Sequence, residues 1–559
     1  MSNKLTLAIL GVAAVLILGL AVVLVMVVGG GGDKKSSSPS ADAGTPGSGT
    51  PSSSKTKSSS GGASAPGTLR LRGDDPLTLD PAVAQDASSA VYIVEIFSGL
   101  VRIDKDLKVQ PDVAESWDVS PDGKTYTFHI NKKAQFQDGR PVLAADVKYS
   151  WERALSQDTG SVTAENFLGD IIGARDVANG TATEISGVKV VDDSTIAVTI
   201  DAAKQFFLYK LAYPTAFLVD QRQIKANKKA WTQKPNGTGP YKLTDWKLGE
   251  KITLQAYENH HLGAPTLKTI NYDLTGGSAL VSYEDGDIDV TGVGLDDLDR
   301  VQDPSDKLHA EYQTSPNQSL DYIGFNTTSA PFDDAKVRQA FALAIDRKKI
   351  AEVVLKGSVP VANGILMPGV PGYTQDDKAY PYDPARAKQL LSESKYANSM
   401  PDITMALSGA GATAGPYDEA LVQMWKDNLG VDVKITQAES GTFFSDIDEG
   451  RYQMFHLGWV MDYPDPEDVL DILFYSKSRQ NNTRYSNPDV DAKLEAARIE
   501  ADSAKRLATY QDVEKQLVTD APWVPMFFGS THALVKPYVQ GYEFPPLIIE
   551  RFRDVQVNP

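Results

Sequence analysis

The residue best suited to chemistry in this sequence is Asp462, which stands between two aromatic residues, Trp459 and Tyr463. The apolar run Met454 to Val460 leads into it and predicts a buried strand, so the carboxylate is expected at a strand end. A buried carboxylate without a partner costs several kcal/mol or becomes protonated, whereas a hydrogen bond to an ammonium group offsets much of that cost. Two interpretations follow: Asp462 pairs with an internal base or caps a turn, or it receives a cationic group from a ligand.

Several acids in the same stretch, Asp462, Asp465 and Glu467, allow a second class of function. Two carboxylates are sufficient for glycoside hydrolysis, so an anchored hydrolase acting on a sugar or a peptide is the rival hypothesis. Against it, the sequence has neither a G-x-S-x-G nor an H-E-x-x-H motif, and it has only six histidines. Turnover of a candidate ligand, detected by mass spectrometry, would separate the two classes.

Composition restricts the remaining possibilities. A chain of 559 residues is too long for one ordinary hydrophobic core, so two or more domains are expected. The absence of cysteine excludes disulfides, thiolate metal sites, a cysteine nucleophile and a lipid anchor on cysteine. A formal net charge of −18 argues against nucleic acid as a partner. We expect neither a cofactor nor a metal ion.

The N-terminal residues predict attachment to a membrane. Leu5 to Val28 carries no charge over 24 residues, and as a helix it would span about 36 Å, enough to cross a bilayer. We interpret residues 1–28 as a transmembrane signal anchor; a cleaved secretory signal is the alternative, although no A-x-A site closes the run. Residues 29–67 are almost wholly Gly, Ser, Pro, Ala, Thr and Lys, which predicts a disordered linker.

Strands and helices alternate from Thr68 onward, which predicts an α/β fold. The turn Ser120 to Gly123 separates two runs of strand-forming residues and predicts a β-hairpin. A long amphipathic helix is predicted between Asp333 and Val354, with apolar residues at helical spacing. Two further helices should begin at Asp383-Pro384 and Asn487-Pro488, where a capping residue precedes a proline.

Five segments of the chain carry a family resemblance. In chain order they are AESWDVSPDGKTYTFHI with FQDGRPVLAADVKYSWERAL, GTGPYKL, YIGFNTTSAPFDDAKVRQAFALAIDR, GWVMDYPDP and APWVPMFF. Together they resemble the oligopeptide- and dipeptide-type (family 5) extracellular solute-binding proteins of ABC importers. Each segment is weakly specific, but five in one order are specific, and the resemblance extends from about Leu69 to Val557.

The resemblance implies a two-lobed, periplasmic-binding-protein-like clamp with mixed sheets and an extra subdomain on the first lobe. Lobe I would comprise residues 68–274, with the subdomain inserted at about 95–205. Lobe II would comprise residues 275–527, and residues 528–559 would return to lobe I. In this family the acid of the GW-x-x-D-Y segment binds the α-amino group of the ligand, and by resemblance that residue is Asp462.

The resemblance also implies the remaining site residues. Trp459 and Tyr463 would line the cleft, with plain core packing as the alternative. Leu77, Thr78 and Leu79 follow the first strand and would contribute mainly through their main chain, with an ordinary loop as the alternative. The partner of the ligand carboxylate varies within the family, so no residue is assigned to it.

The expected function is that of a receptor, and not of an enzyme, that captures short oligopeptides and delivers them to an ABC permease. We expect a monomer, held at the cell membrane by a single pass, with its binding domain on the extracellular face. A periplasmic location after cleavage is the alternative. Another solute, such as an oligosaccharide, an opine or a metal complex, stays open, as does a sensing role, because the family does not fix the ligand.

Overall fold

The computed structural model describes residues 64–376, 379–409, 414–547 and 551–559. The predicted transmembrane helix and residues 29–63 of the predicted linker lie outside this part of the chain. Among the described residues, no helix combines the length and the apolar character that a bilayer crossing requires. The last residues assigned to the linker belong to the fold: the Ser64 hydroxyl donates to Asp289 at 2.8 Å, and the Gly67 main-chain N–H donates to the Val557 carbonyl at 3.0 Å.

A mixed sheet of six strands carries the strand that leads to Asp462. In spatial order its strands are Val290–Gly292, Trp523–Val535, Tyr312–Phe325, Met454–Val460, Ile403–Ser408 and Val433–Ala438. Met454–Val460 pairs antiparallel with Tyr312–Phe325 and parallel with Ile403–Ser408. It is therefore an inner strand, which accounts for its nearly continuous apolar sequence. The strand Trp523–Val535 stays in this sheet to its end, beyond position 528, and the lobe boundaries remain a prediction.

Two four-stranded sheets are formed by the first half of the chain. Their strands, in spatial order, are Thr68–Arg72, Thr269–Asp273, Lys251–Ala256 and Tyr241–Lys247 in one, and Ala114–Val119, Thr125–Ile130, Thr195–Thr199 and Val188–Asp192 in the other. The second sheet contains the predicted hairpin, whose turn places Gly123 at a φ of 70°, a conformation that glycine adopts without strain. Two short ladders complete the strands: Val101–Ile103 with Val109–Pro111, and Val539–Gln540 with Gln556–Val557.

Helices cover the sheets and connect the strands. The α-helices of the described residues are Ala87–Ile96, Ala144–Leu155, Ala164–Leu168, Ala174–Ala178, Phe207–Lys210, Gln221–Ala226, Ala279–Glu284, Leu295–Gln302, Ala335–Leu343, Arg347–Lys349, Pro384–Ser392, Pro416–Leu429, Ser440–Asp448, Glu467–Phe474, Pro488–Ile499 and Ser503–Asp520. Short 3₁₀ turns occupy Pro214–Ala216, Trp231–Gln233 and His309–Glu311. The helices Pro384–Ser392 and Pro488–Ile499 begin at the predicted prolines, and the side chains of Asp383 and Asn487 cap them as expected.

The single helix predicted between Asp333 and Val354 is wrong. Ala335–Leu343 is helical and is capped by Asp334, but the next helix begins only at Arg347. Asp346 interrupts the helix because its carboxylate accepts a hydrogen bond from the Lys349 main chain at 3.0 Å, which starts a new helix. A π-helical turn, Ile350–Val354, follows directly. The apolar residues predicted to be buried between Val337 and Ile345 are buried, although the helix does not continue to Val354.

The hydrophobic core is divided between the two halves of the chain, and one small cluster joins them. Leu69, Ile93 and Tyr241 belong to a cluster built mainly from the first half, whereas Trp459 and Phe474 belong to one around the six-stranded sheet. Phe167 and Phe206 from the first half pack with Tyr463 from the second. The predicted α/β class is confirmed, and the joining cluster lies beside the predicted site.

Candidate functional site

Asp462 lies just beyond the end of an inner strand. Trp459 pairs with Leu320 and Val460 with Ser319 in the ladder, and the Met461 main-chain N–H then donates to the Gln318 carbonyl at 2.9 Å. The next residue is Asp462, so the sheet fixes its main chain. The strand prediction is confirmed with the bounds Met454–Val460.

A tight turn and a short acidic helix follow Asp462. The Asp465 main-chain N–H donates to the Tyr463 carbonyl at 2.8 Å, and the Asp465 carboxylate accepts from the Glu467 main-chain N–H at 2.9 Å. The helix Glu467–Phe474 starts there, with Glu467 and Asp468 in its first turn. Acids in the first turn of a helix are favourable because they face the positive end of the helix dipole.

Three of the five acids between positions 462 and 471 have a basic partner. The pairs are Asp465 with Arg506 at 2.6 Å, Asp471 with Arg498 at 2.5 Å, and Glu467 with Lys210 at 3.5 Å. The Arg506 pair is bidentate, and the Tyr463 hydroxyl also donates to Glu467. These three acids therefore have their charges balanced by the protein itself.

The remaining two acids, Asp462 and Asp468, lie together without a base. Within the described residues no Lys, Arg or His forms an ion pair with either carboxylate, and Asp462 as a whole residue is half-buried. One Asp468 oxygen accepts from the Asp462 main-chain N–H at 3.0 Å and from the Trp459 indole N–H at 3.2 Å. Burial raises the pKa of Asp462 to about 7, and burial together with repulsion from Asp462 raises the pKa of Asp468 well above its usual range.

Residues from the first half of the chain face this pair. The ring of Tyr463 lies 6.5 Å from the ring of Phe206 and 6.3 Å from that of Phe167, which stacks on Tyr213 at 3.7 Å. Burial raises the pKa of the Tyr213 phenol, and the charges of Asp462, Asp468 and Asp86 raise it further. Asp462 therefore lies where the two halves of the chain meet.

The predicted site residues are placed as follows. Trp459 and Tyr463 are buried, and the polar atom of each is bound to an acid of the helix Glu467–Phe474. Leu77 is 62% exposed, Thr78 hydrogen-bonds with Ser89 and Asp80, and Leu79 is in the core. Among the described residues no hydrogen bond, ion pair or ring contact joins positions 77–79 to Asp462, so their contribution stays a prediction.

Sequence reasoning missed Asp468, Tyr213, Lys210 and Asp86. Asp468 stands in the same segment as Asp462, but nothing in the spacing indicates that its carboxylate accepts from the Asp462 main chain. Tyr213, Lys210 and Asp86 lie in the other half of the chain, and no local motif connects them with Asp462. Only the fold brings them together.

Two other places among the described residues are candidates for a ligand site, one because it is a depression and the other because it contains possible metal-ligating atoms. An open depression of about 970 Å³ includes Asp138, Asp220 and Arg222, but these charges are already paired with one another. The charges of these three residues are matched within the depression, whereas Asp462 has no basic partner among the described residues.

A buried cluster of Asp112, His260 and His261 has donor atoms within 4.8 Å of one another, a set suited to a divalent cation. His261 already binds Asp112 at 2.7 Å. Burial, the charge of His261 and the charge of Arg553 lower the pKa of His260 to about 3, and the charge of Arg551 also acts on Asp112. Because Asp112 is already bound by His261 and lies near the charge of Arg551, we assign this cluster no ion.

Comparison with known proteins gives consistent matches. Residues 108–481 match the family described as bacterial extracellular solute-binding proteins, family 5 middle. The periplasmic oligopeptide-binding protein OppA of Escherichia coli is 31% identical over 493 residues, which cover 85% of this chain and 89% of OppA. The probable deoxycholate-binding periplasmic protein YgiS of Escherichia coli is 31% identical over 84% of this chain and 89% of its own. The structure of the Escherichia coli murein tripeptide binding protein MppA matches with a TM-score of 0.75 and 28% identity, covering 88% of this chain and 98% of MppA.

Proposed function

Because the chain belongs to family 5 of the bacterial extracellular solute-binding proteins, we propose that it captures short oligopeptides and delivers them to the permease of an ABC importer. The periplasmic-binding-protein-like α/β fold is the one predicted from the sequence. The peptide is proposed because OppA and MppA, two similar proteins, are named for oligopeptide and murein tripeptide binding. The observation that carries this choice is the Asp462 carboxylate, which has no basic partner among the described residues.

The amino end of a peptide supplies the charge that the site lacks. An ammonium group beside Asp462 makes a charge-assisted hydrogen bond, and the closing of two lobes around it would exclude water and strengthen that attraction. The ligand then binds the closed state better than the open one, which is what drives closure. We propose the lobes 68–274 and 275–527 for this motion, with residues 528–559 returning to the first.

The other solute classes are less favoured by the same charges. Deoxycholate, the solute in the name of the relative YgiS, is an anion, which the Asp462 carboxylate would repel. A hydrolase that uses Asp465 or Glu467 is disfavoured because Arg506, Lys210 and Tyr463 hold those acids. Incubation of the protein with a peptide library followed by mass spectrometry should therefore give retained, unchanged peptides, and the appearance of cleaved products would overturn the non-enzymatic proposal.

The decisive test compares blocked and free amino ends. Isothermal titration with a mixed library of tri- to pentapeptides should give binding that is lost, by at least about tenfold in affinity, when the same library is N-acetylated. Asp462→Asn should show the same loss with the free library, because the amide has no charge to offer the ammonium group. Asp432→Asn removes the same charge from a side chain that is 74% exposed, and it should bind like the wild type.

Equal affinity for the free and the acetylated library would contradict the role of Asp462. Binding of neither library, together with tight binding of deoxycholate, would move the proposal to the other solute class.

Attachment to the membrane is proposed separately. The sequence has no cysteine for a lipid, so the apolar segment Leu5 to Val28 is the proposed anchor, with the binding domain on the extracellular face. The full chain should sediment with membranes, and a chain lacking residues 1–28 should be released as a monomer. If cells that express the full chain instead secrete a form with a shortened N-terminus, a cleaved signal would be supported.

A further inference from the structure

Asp468 has the surroundings of a carboxyl group that carries a proton. Its side chain is 0% exposed, and one oxygen accepts from the Trp459 indole and the Asp462 main chain. The other oxygen is buried and has no hydrogen-bond partner among the described residues. An ionised carboxylate can only accept, so a dry oxygen without a donor leaves its charge uncompensated.

The groups around Asp468 are negative or neutral. Asp462 and Glu467 raise its pKa in addition to burial, and from the other half of the chain the neutral phenol of Tyr213 lies close enough for the Asp468 charge to act on it. The helix N-terminus favours the ionised form, but this effect is smaller than the cost of burying an unpaired charge. The balance therefore favours the protonated acid.

The bases near this helix are already occupied. They are Lys210, bound to Asp170 and Glu467; Arg498, bound to Asp471; and Arg506, bound to Asp465. Burial raises the pKa of Asp471 to about 7 as well, but Arg498 and the Tyr510 hydroxyl hold that carboxylate, so it is not open to a ligand.

We infer that Asp468 is a second, proton-bearing carboxyl group of the ligand site, and that an ammonium group of the ligand displaces its proton. This inference rests on the proposed function, because it requires a ligand with a cationic amino end. Asp468 positions Asp462 and Trp459 in the empty protein and becomes a second acceptor for the ammonium group in the complex.

The exchange keeps the charge of the site constant. In the empty site the Asp462 carboxylate and the neutral Asp468 acid together carry one negative charge. In the complex two carboxylates and one ammonium group again carry one net negative charge, and the Asp468 proton has passed to water. An ammonium group has three N–H donors, so it can satisfy both acids at once.

Proton counting by titration calorimetry tests the exchange. At pH 7.5, in buffers of different ionisation enthalpy, the wild type should release about one more proton per peptide bound than Asp468→Asn. The asparagine oxygen can still accept from Trp459 and from the Asp462 main chain, so this variant is expected to fold. Comparison at one pH with one peptide library removes the ligand's own titration from the difference.

The pH dependence gives a second measure. Between pH 7 and 8 the ratio of the wild-type affinity to that of Asp468→Asn should rise with pH by up to about tenfold per unit, because only the wild type releases this proton. Asp432→Asn, which removes an exposed charge, should keep the wild-type proton count. Equal proton counts and a constant affinity ratio for wild type and Asp468→Asn would overturn the inference and leave peptide binding itself intact.

Infrared spectroscopy of the wild type tests the inference without a variant. The empty protein at pH 7.5 should show a protonated-carboxyl band, and the ligand should remove it. Absence of that band in the empty protein overturns the inference. Failure of any free-amino peptide to bind overturns the proposed function instead, so the two failures are distinguishable.

Discussion

His456, in the strand Met454–Val460, forms ion pairs with two acids, in contrast to Asp462, which follows the same strand and is unpaired among the described residues. His456 lies between Asp418 at 2.6 Å and Asp321 at 2.7 Å, and all three are at least partly buried. Burial alone would lower the pKa of His456, but the two carboxylates reverse this effect and raise it to about 10. The imidazolium therefore holds two acids at neutral pH, whereas Asp462 and Asp468 have no such cation among the residues that the structure describes.

This histidine makes stability depend on pH. Because the pKa is raised from 6.5 to about 10 on folding, the stabilisation is complete below pH 6.5 and is lost as the pH rises through 10. His456→Gln should cost about 3–5 kcal/mol at pH 6.5, since it leaves two acids without a cation. Denaturant unfolding at pH 6.5 and at pH 10 measures the cost, which should shrink at the higher pH. A cost that is the same at both values would contradict a charged His456.

The turn between the strand Met454–Val460 and the helix Glu467–Phe474 is fixed by a third element, the helix Ser503–Asp520. Arg506 of that helix binds both oxygens of Asp465, and both side chains are buried. The positions of Asp462 and Asp468 therefore depend on an element to which neither residue belongs.

Removal of this arginine should be more costly than removal of the whole pair. Arg506→Met should lower the free energy of unfolding by about 3–5 kcal/mol, because Asp465 is left buried and ionised. The double variant with Asp465→Asn should recover part of that loss, since it leaves no unpaired charge. Unfolding in denaturant measures both variants. If the double variant is no more stable than the single one, the pair does not act through its charge.

The sequence predicts elements better than contacts between them. The strand Met454–Val460, the hairpin turn at Gly123 and the caps Asp383 and Asn487 follow from local periodicity and turn chemistry, and all were predicted correctly. The break at Asp346 was missed because apolar spacing continues through it while the carboxylate caps a new helix.

At the site, the position of Asp462 at a strand end was predictable, but its neighbours were not. Asp468 accepts from a main-chain group, and Tyr213 approaches from the other half of the chain. Such contacts depend on tertiary packing, which short motifs do not encode.

Contacts between the two halves of the chain lie where the proposed closure would bring the halves together. The Phe206 ring faces Tyr463, and Lys210 lies 4.8 Å from the Phe206 ring while it binds Glu467. Phe207, the residue after Phe206, instead packs on Tyr126 within the core of the first half. Variants of Phe206 and Phe207 can therefore distinguish an effect on the proposed closure from an effect on the stability of the core.

Phe206→Ala should favour the open form. Loss of the ring removes apolar contact between the halves, so the radius of gyration measured by X-ray scattering should increase and peptide affinity should fall by at least about tenfold. Phe207→Ala is the matched control, because it should lower the melting temperature and leave the radius of gyration unchanged. An equal effect of both variants on the radius would show that the Phe206 contact does not control closure.

The hydrogen bond between Gly67 and Val557 has a mechanical consequence. It places the point where the chain enters the fold beside the last strand, and the first strand, Thr68–Arg72, runs parallel to Thr269–Asp273. A pull on the preceding segment loads this ladder lengthwise, so its bonds share the force in shear and do not unzip one at a time. Such a load would act on the sheet that contains Thr68–Arg72, and not on the separate sheet whose strand Met454–Val460 leads to Asp462.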